Sequence, residues 1–266
     1  MIEQITILGG QGKSGVLEEV KRVDFNMGDI VSIVGPTGCG KTTLINDIEL
    51  YANDNTPSGR RVLINGEAQP EEFVNDPSKN PIALISQHTN FLSDLPVKTF
   101  LDIHAKIRKV DNVANAISET VGFANKLTGE PIILDSAMTE LSGGQTRALL
   151  IADAVVIGNS PIILLDEIEN AGIHRTKALE LLKNYKKIFI FVTHDPRIAL
   201  LSDFRIVMKD GAMKKIIYTG NEEKKVAEEI KKLDNLLLDF RNRIRIGEIL
   251  GEEQMKSQLR ALGYIA

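Results

Sequence analysis

Cysteine is scarce in this 266-residue chain, since Cys39 is the only one. One cysteine excludes an internal disulfide, and the lack of others is typical of a reducing cytosol. Long apolar runs are also missing: the longest, Pro161–Leu165 and Ile188–Val192, are far shorter than the roughly 20 residues of a membrane-spanning helix. At Met1–Gln4 no basic segment leads into an apolar one, so the sequence predicts no signal peptide there. We therefore expect a cytoplasmic protein that reaches a membrane only through a partner.

An excess of positive charge is absent as well. Lys and Arg number 32 against 36 Asp and Glu, which gives a formal net charge of −4. Nucleic-acid-binding proteins usually carry a basic excess or a basic stripe, so we expect no nucleic-acid partner. No His, Cys and Asp residues stand at metal-ligand spacing. The remaining composition, 43% hydrophobic and 26% charged, is that of an ordinary globular protein.

Short β-rich apolar runs alternate with helical stretches along most of the chain. Strands are predicted at Ile2–Leu8, Val20–Phe25, Ile30–Val34, Arg61–Ile64, Ile82–Ile85, Ile162–Leu165, Ile188–Val192 and Phe204–Met208. Helices are predicted near Lys41–Tyr51, Ala148–Val156 and Lys177–Tyr185. Alternation of this kind predicts a parallel sheet covered by helices on both faces.

A longer helical block runs from Val97 to about Thr128. Its apolar and aromatic residues are spaced as one helix face, namely Val97, Phe100, Leu101, His104 and Ile107. We interpret this block as part of a separate lobe inserted into the sheet, over about residues 88–157.

The composition changes after Gly220. Asn221–Ala266 is rich in Glu, Lys and Leu and shows no strand pattern. We predict two helices, broken near Gly247–Gly251. A mixed-charge helix face is usually solvated. The cluster Leu236, Leu237, Leu238 and Phe240 still requires a cover, either the body of the protein or a partner.

Gly35–Thr42 reads GPTGCGKT and fits the pattern G-x-x-x-x-G-K-[ST], with a strand predicted before it and a helix after it. Backbone N–H groups in a glycine-rich nest and at a helix N-terminus can bind a triphosphate without bulky side chains. Lys41 would contact the β- and γ-phosphates and Thr42 would bind Mg²⁺, while Thr43 would donate further hydrogen bonds to phosphate. An ordinary glycine-rich turn is the alternative, and the complete motif in this context disfavours it. Cys39 fills a variable position where a small residue fits.

The predicted strand Ile162–Leu165 ends in two adjacent carboxylates, Asp166 and Glu167. Side chains alternate along a strand, so these neighbours cannot both point at one atom. Asp166 can hold the Mg²⁺ shell through water, and Glu167 can polarise a water aligned with the γ-phosphate. Two exposed acids at a strand end are common when taken alone, but next to a phosphate loop they favour hydrolysis over binding alone.

Three more features separate this chain from kinases, GTPases and helicases. Leu141–Gln145 reads LSGGQ and opens a helix, which makes a second phosphate-binding helix N-terminus. Gln87 follows one strand, and His194, with Asp195 after it, follows another. In this order the motifs resemble the nucleotide-binding domain of ATP-binding-cassette (ABC) proteins, over about residues 1–220.

The resemblance implies an α/β fold of the P-loop NTPase type. Its parts would be a mainly parallel sheet, an N-terminal antiparallel β subdomain, an inserted helical lobe and, here, a C-terminal helical extension at residues 221–266. It also implies two copies meeting head-to-tail around two ATP molecules, because the second phosphate site serves the nucleotide of the other chain.

The family's roles carry over to the matching residues. Gln87 resembles the residue that touches Mg²⁺ and the attacking water, and His194 resembles the switch histidine that contacts the γ-phosphate and Glu167. The catalytic set is then Glu167, His194, Gln87 and Lys41, and the Mg²⁺ set is Thr42, Gln87 and Asp166. The set that binds ATP is Gly35, Pro36, Thr37, Gly38, Cys39, Gly40, Lys41, Thr42 and Thr43, with Ser142, Gly143, Gly144 and Gln145.

The chain departs from the family at several points. Asn170–Ile173 stands where the family usually has S-A-L-D and a carboxylate that reaches across the dimer. Asp153 stands where the signature helix usually carries arginine. No Phe, Tyr or Trp precedes Phe25, so the usual aromatic ring on adenine is missing and an aliphatic contact would replace it.

Two uses of the ATPase fit the sequence. The first is a cassette that drives a separate membrane permease at the inner face of the membrane, with the helical lobe and Asn90–Val97 as the docking socket. The second is a soluble ATPase that remodels or activates a protein partner, which the atypical Asn170–Ile173 and the C-terminal extension favour. A DNA-repair cassette would need a long coiled-coil insertion, and the lobe is too short for one.

Overall fold

The computed structural model describes residues 2–76, 79–86, 89–91, 93–167 and 175–265. The chain divides into two compact units, Met1–Tyr218 and Thr219–Ala266. The strands of the first unit are β1 (Gln4–Leu8), β2 (Arg22–Asn26), β3 (Ile30–Val34), β4 (Arg61–Ile64), β5 (Glu67–Ala68), β6 (Ile82–Ile85), β7 (Ile162–Asp166), β8 (Ile188–Val192), β9 (Phe204–Lys209) and β10 (Ala212–Tyr218). Its α-helices are α1 (Lys41–Glu49), α2 (Glu71–Asn75), α3 (Val97–Ile107), α4 (Val113–Leu127), α5 (Gly143–Val155), α6 (Arg175–Leu182) and α7 (Pro196–Leu201).

The centre of the first unit is a six-stranded sheet in the order β10-β9-β3-β8-β7-β6. All neighbouring pairs are parallel except β9 with β10. The central strand β8 is buried at every residue, and β3 and β7 are buried at all but their last. Such continuous apolar runs are typical of parallel strands covered on both faces. The predicted α/β fold is therefore confirmed.

A second, antiparallel sheet has the order β2-β1-β4-β5. Ile5 and Ile7 of β1 are fully buried and pair in register with Phe25 and Val23 of β2. Because alternate residues of a strand face opposite sides, one face of this sheet supplies apolar side chains to the core. This is the antiparallel β subdomain that the resemblance implied.

The helical block predicted from Val97 to about Thr128 is two helices, α3 and α4. The backbone turns at Lys109, which has a left-handed φ of 55°, and Asn112 caps α4 by accepting from the Asn115 N–H at 3.0 Å. The buried residues of α3 are Val97, Leu101 and Ala105. Ile107, the last residue of the predicted helix face, is 62% exposed at the end of the helix.

The hairpin β9–β10 was not predicted beyond its first strand. Its two-residue turn, Asp210–Gly211, has left-handed φ values of 51° and 82°. An Asp-Gly pair is favoured at such a turn because both residues tolerate positive φ. β10 lies at the sheet edge and carries Lys214 and Lys215, whose charge conceals its strand character in the sequence.

The second unit contains two helices, α8 (Asn221–Arg245) and α9 (Glu252–Ala261), separated at residues 246–251. Gly247 has a φ of 84°, a left-handed conformation that ends a helix at low cost for glycine. Within the described ranges, no helix combines the length and the hydropathy needed to cross a bilayer.

Candidate functional site

The predicted site residues follow three neighbouring strands of the central sheet. The phosphate loop follows β3, His194 lies just beyond β8, and Asp166 and Glu167 end β7. These strands are adjacent and parallel, in the order β3-β8-β7. Their carboxyl ends therefore meet at one edge of the sheet, which is where open α/β sheets bind ligands.

The phosphate loop depends on its glycines. Gly35, Gly38 and Gly40 have φ values of 155°, 77° and 94°. A Cβ on Gly40 would lie 2.9 Å from the Gly211 Cα, and one on Gly35 would lie 2.4 Å from the Met208 carbonyl oxygen. Larger residues would therefore strain the backbone and push the loop off β9 and its turn. Cys39 is buried behind the loop, as a small residue at a packed position.

Lys41 is the first residue of α1 and is buried, with its Nζ donating to the carbonyl oxygens of Gly35 and Pro36 at 3.1 and 3.3 Å. The ammonium group is thus held inside the curve of the loop. Thr42 and Thr43 are exposed at the start of the same helix. A buried cation, glycine backbone and a helix N-terminus together fit a polyphosphate.

Glu167 lies directly after β7 in a left-handed conformation, with a φ of 49°. Its N–H donates to the Val192 carbonyl oxygen at 3.0 Å, which ties it to the end of β8. His194 Nε2 lies 3.4 Å from Glu167 Oε1. The structure therefore brings the predicted base and the predicted switch histidine together. Positive φ outside glycine is uncommon, and such positions concentrate at functional sites.

The residues beside His194 are fixed by short hydrogen bonds. The Asp195 N–H donates to Thr193 Oγ1 at 2.9 Å, and Asp195 Oδ1 caps α7 by accepting from the Arg197 N–H at 2.8 Å. Arg197 Nη2 also contacts Asp195 Oδ2 at 2.8 Å. These bonds hold the backbone on either side of His194, so its ring is directed by a rigid turn.

The signature segment forms a capping box at the start of α5. Ser142 Oγ accepts from the Gln145 N–H at 3.3 Å, and the Ser142 N–H donates to Gln145 Oε1 at 2.9 Å. Gln145 Nε2 donates to the Pro131 carbonyl oxygen at 3.1 Å. Ser142 and Gly143 are exposed at this helix N-terminus. The segment therefore presents the exposed start of α5 at the surface of the helical lobe.

Sequence reasoning missed Lys13, which lies in the glycine-rich loop between β1 and β2. Its Nζ donates to the Gly38 carbonyl oxygen at 2.7 Å, and its N–H donates to the Asp210 carbonyl oxygen at 2.9 Å. Lys13 thus links the phosphate loop to the β9–β10 turn. A lysine in a polar loop carries no sequence signal for such a contact.

A fully buried ionic cluster behind the loop was missed as well. Arg60 bonds Glu18 and Asp47 at 2.7 and 2.8 Å, and its Nη2 donates to the Gly211 carbonyl oxygen at 2.8 Å. Gly211 in turn donates to the Cys39 carbonyl oxygen at 2.9 Å. The cluster therefore connects α1, the antiparallel sheet and the β9–β10 turn around the phosphate loop.

His104 pairs with a carboxylate inside the helical lobe. His104 Nδ1 lies 2.8 Å from Asp153 Oδ1, and Arg108 Nε lies 3.4 Å from the other ring nitrogen. Asp153, which stands where the resemblance led us to expect arginine, is thus paired across the lobe from α5 to α3. Two further expectations, Gln87 at the site and Asn170–Ile173 at the dimer contact, fall outside the described residues.

A divalent cation at this site would have few protein ligands. Within the described part of the chain, no group of three or more His, Cys, Asp and Glu side chains could hold a metal. Mg²⁺ at nucleotide sites is usually held by one or two protein groups together with phosphate oxygens and water. The exposed Thr42 hydroxyl and the half-buried Asp166 fit that arrangement.

Comparisons with known proteins identify the family. The ABC transporter family model matches residues 19–170. An uncharacterized ABC transporter ATP-binding protein of Methanocaldococcus jannaschii is 51% identical over 254 residues, which are 96% of this chain and 97% of that protein. The spermidine/putrescine import ATP-binding protein PotA of Legionella pneumophila is 30% identical over 226 residues, which are 81% of this chain and 58% of PotA.

Solved structures share the fold. CbiO1 of Clostridium perfringens, part of the ABC transporter complex cbiONQ, aligns with a TM-score of 0.61 and 22% identity over 92% of this chain and 99% of that one. A dimeric ATP-binding cassette in a post-hydrolysis state with ADP and Pi aligns with a TM-score of 0.60 and 22% identity, over 82% of this chain and 99% of that one. The chain belongs to the ABC transporter family as one of its ATP-binding proteins, which are ATPases.

Proposed function

We propose that two copies of this chain bind two Mg-ATP molecules between them, and that closure and hydrolysis drive a separate membrane permease. The observation that carries the proposal is the meeting of the phosphate loop, Glu167 and His194 at one edge of the sheet. The names of relatives that belong to import systems support the choice of a permease.

The residues that would hold the nucleotide follow from the loop geometry. Backbone N–H groups of Gly38 to Thr43 and the Lys41 ammonium would bind phosphate oxygens, and Thr42, Asp166 and Gln87 would hold Mg²⁺. The cation would supply charge neutralisation on the phosphates. The adenine ring would contact aliphatic side chains in place of an aromatic ring. The exposed Val16 and Leu17 are suited to this contact, because they lie in the loop that Lys13 ties to Gly38.

Hydrolysis needs a water aligned with the γ-phosphorus. The oxygen of that water would form a bond to the γ-phosphorus while the bond from the γ-phosphorus to the oxygen bridging the β- and γ-phosphates breaks. Glu167 would accept a proton from the same water. His194 would hold Glu167 and contact the γ-phosphate. Phosphoryl transfer of this kind depends mainly on position and electrostatic stabilisation, which two side chains on adjacent rigid strands can supply.

The exposed N-terminus of α5 supports the proposal that two chains act together. One chain carries two helix N-termini suited to phosphate, at Lys41 and at Gly143, so a second copy can place its Ser142–Gln145 on the γ-phosphate of the first. ATP would then join the two copies, and loss of the γ-phosphate would release them.

The test of the dimer is the Glu167→Gln variant, which keeps the hydrogen-bonding shape and lacks the base. Light scattering is done on Glu167→Gln combined with Leu233→Glu, which places a charge on the exposed apolar face of α8 and so removes any association through that helix. This protein should have twice the monomer mass with ATP and Mg²⁺ and the monomer mass with ADP. The matched control adds Ser142→Arg, which places a bulky cation at the signature and should abolish the ATP-dependent shift. An unchanged mass with ATP would contradict the proposal.

A second function remains open to the same chemistry: remodelling of a soluble protein partner. The second unit, 219–266, lies outside residues 19–170 that match the family model, and it offers a surface that the ATPase core does not require. Affinity purification of the tagged chain from its own cells in mild detergent separates the two. Recovery of a multi-span membrane protein supports the permease, whereas a soluble partner in stoichiometric amount supports remodelling.

A further inference from the structure

The long helix α8 is only partly used inside its own unit. Tyr264 Oη donates to Glu229 Oε2 at 2.9 Å, and Gln258 Nε2 donates to Asp239 Oδ2 at 3.0 Å. These bonds fold α9 and the residues after it back along one side of α8. Ile230 follows Glu229 and Phe240 follows Asp239, so each lies about 100° further around the helix than the residue that bonds the α9 segment.

An apolar stripe runs along that neighbouring face. Its members are separated by intervals of 4, 3, 4, 3 and 4 residues and are Val226, Ile230, Leu233, Leu237, Phe240 and Ile244. Val226, Leu233, Leu237 and Ile244 are between 40% and 61% exposed, and Ile230 and Phe240 are half-buried. We refer to these six residues as the α8 stripe.

The spacing of the α8 stripe is that of a coiled-coil seam. Alternating intervals of three and four residues keep apolar side chains in line when two helices wind around each other. Eighteen residue steps from Val226 to Ile244 correspond to about 27 Å of helix. A single surface helix is not stabilised by such a series of apolar side chains. Their exposure to water is unfavourable unless another helix covers them.

We propose that the α8 stripe binds the α8 stripe of a second copy of this chain as an antiparallel helix pair. The intervals read the same from either end, so a two-fold axis can match every member with a counterpart. Val226 would meet Ile244, Ile230 would meet Phe240, and Leu233 would meet Leu237 of the second copy. An interface of this isologous kind closes as a dimer.

Flanking charges select the antiparallel direction. In a parallel pair, Glu229 would meet Asp234 of the second copy on both edges, which makes two like-charged contacts. In the antiparallel pair, Glu229 meets Arg243 twice. One like-charged contact, Asp234 with its copy, remains. Contacts between charges at such positions have similar magnitudes. The antiparallel pair has two opposite-charge contacts and one like-charge contact, whereas the parallel pair has two like-charge contacts, so the antiparallel direction is favoured.

The interface would join two chains in the absence of nucleotide. Two ATPase units held in this way would meet at a high effective concentration, so ATP-dependent closure would not need to recruit a second chain from solution. The proposal does not depend on the nucleotide dimer, and an experiment without ATP tests it alone.

Sedimentation of the full chain without nucleotide, over a concentration series, gives the first test. The expected species is a dimer, and Leu233→Glu or Leu237→Glu should raise its dissociation constant by more than about 100-fold, because each would bury a charge in the seam. Asn235→Glu is the matched control: it adds the same charge to an exposed position on the opposite side of α8 and should leave the dimer intact. Far-UV circular dichroism should show the same helix content in all three variants.

A monomer at every concentration would overturn the proposal, and so would a dimer that survives both leucine substitutions. Disulfide trapping tests the direction, in a Cys39→Ser background to remove the native thiol. Mixing Leu233→Cys chains with Leu237→Cys chains should give cross-links between unlike chains. Cross-links confined to like chains would show a parallel pair and overturn the antiparallel assignment.

Discussion

His194 Nε2 lies 3.4 Å from Glu167 Oε1, although the two residues follow different strands. The pair exists because β7 and β8 are parallel neighbours with Asp166 opposite Val192, so both strands end at the same level. A histidine at this distance can hold the carboxylate in one orientation and donate to a phosphate oxygen when protonated.

His194→Ala should therefore lower the ATP turnover number by about 100-fold or more, the range in which positioned acid–base groups contribute. ATP affinity should change little, because the phosphate loop is untouched. Steady-state phosphate release and nucleotide titration measure the two effects. His104→Ala is the control, since it removes a second histidine–carboxylate pair within the helical lobe. Equal losses of turnover in both variants would refute the assigned role.

Gly40→Ala should abolish ATP binding. The new Cβ would lie 2.9 Å from the Gly211 Cα and would be forced to a φ of 94°, so the loop must move away from the β9–β10 turn. Gly28→Ala provides the comparison, because Gly28 has a φ of 102° with open space around its Cβ position. That variant should lose about 1–2 kcal/mol of stability from backbone strain and retain ATP binding. Fluorescent-nucleotide binding and thermal unfolding distinguish the cases.

Arg60→Met should cost about 3–5 kcal/mol of unfolding free energy, because it leaves Glu18 and Asp47 buried without a counter-charge. Arg22→Met is the matched control: Arg22 bonds Asp24 at 3.0 Å but is 57% exposed. Its loss should change stability little, because water screens an exposed ion pair. Urea denaturation of both variants measures the difference. A similar small cost at both positions would show that the buried cluster is not a determinant of stability.

Lys187 introduces a pH dependence. Burial lowers the pKa of Lys187 to about 8 from 10.5, while Nζ donates to Asn159 Oδ1 at 2.7 Å. Between these values the unfolded chain binds more protons than the folded one, so the contribution of Lys187 to stability rises with pH. From pH 7 to pH 9.5 the wild type should gain about 1 kcal/mol over Lys187→Met, since solvent screening reduces the full linkage value. Urea denaturation at the two pH values checks this, and a constant difference would contradict it.

The sequence predicted the elements whose patterns are local. β4, β6 and β8 have the predicted bounds because each is an apolar run flanked by turn residues. The backbone of the phosphate loop followed from its motif, since glycine at fixed positions determines where φ is positive. Contacts between distant residues gave no such signal. His104 and Asp153 are 49 residues apart, and nothing near either residue indicates the other.

The buried cluster illustrates the same limit. Arg60, Glu18 and Asp47 come from three different segments, and each taken alone resembles an ordinary surface charge. Only the packing of the antiparallel sheet against α1 brings them together and removes them from water. The β10 strand was missed for a different reason: its charged face hid the alternation, and the Asp-Gly turn before it was the signal that could have revealed it.

The link between Glu18 and Met213 has a consequence for biosynthesis. Glu18 Oε1 accepts from the Met213 N–H across 195 residues, and the adjacent Gly211 bonds the phosphate loop. The loop itself is made early on the ribosome, but the turn that supports it is among the last parts of this unit to emerge. Contacts of such long sequence separation form late in folding. A nascent chain should therefore acquire nucleotide binding only after β10 has left the exit tunnel, so that ATP binding would report that the first unit has been completed.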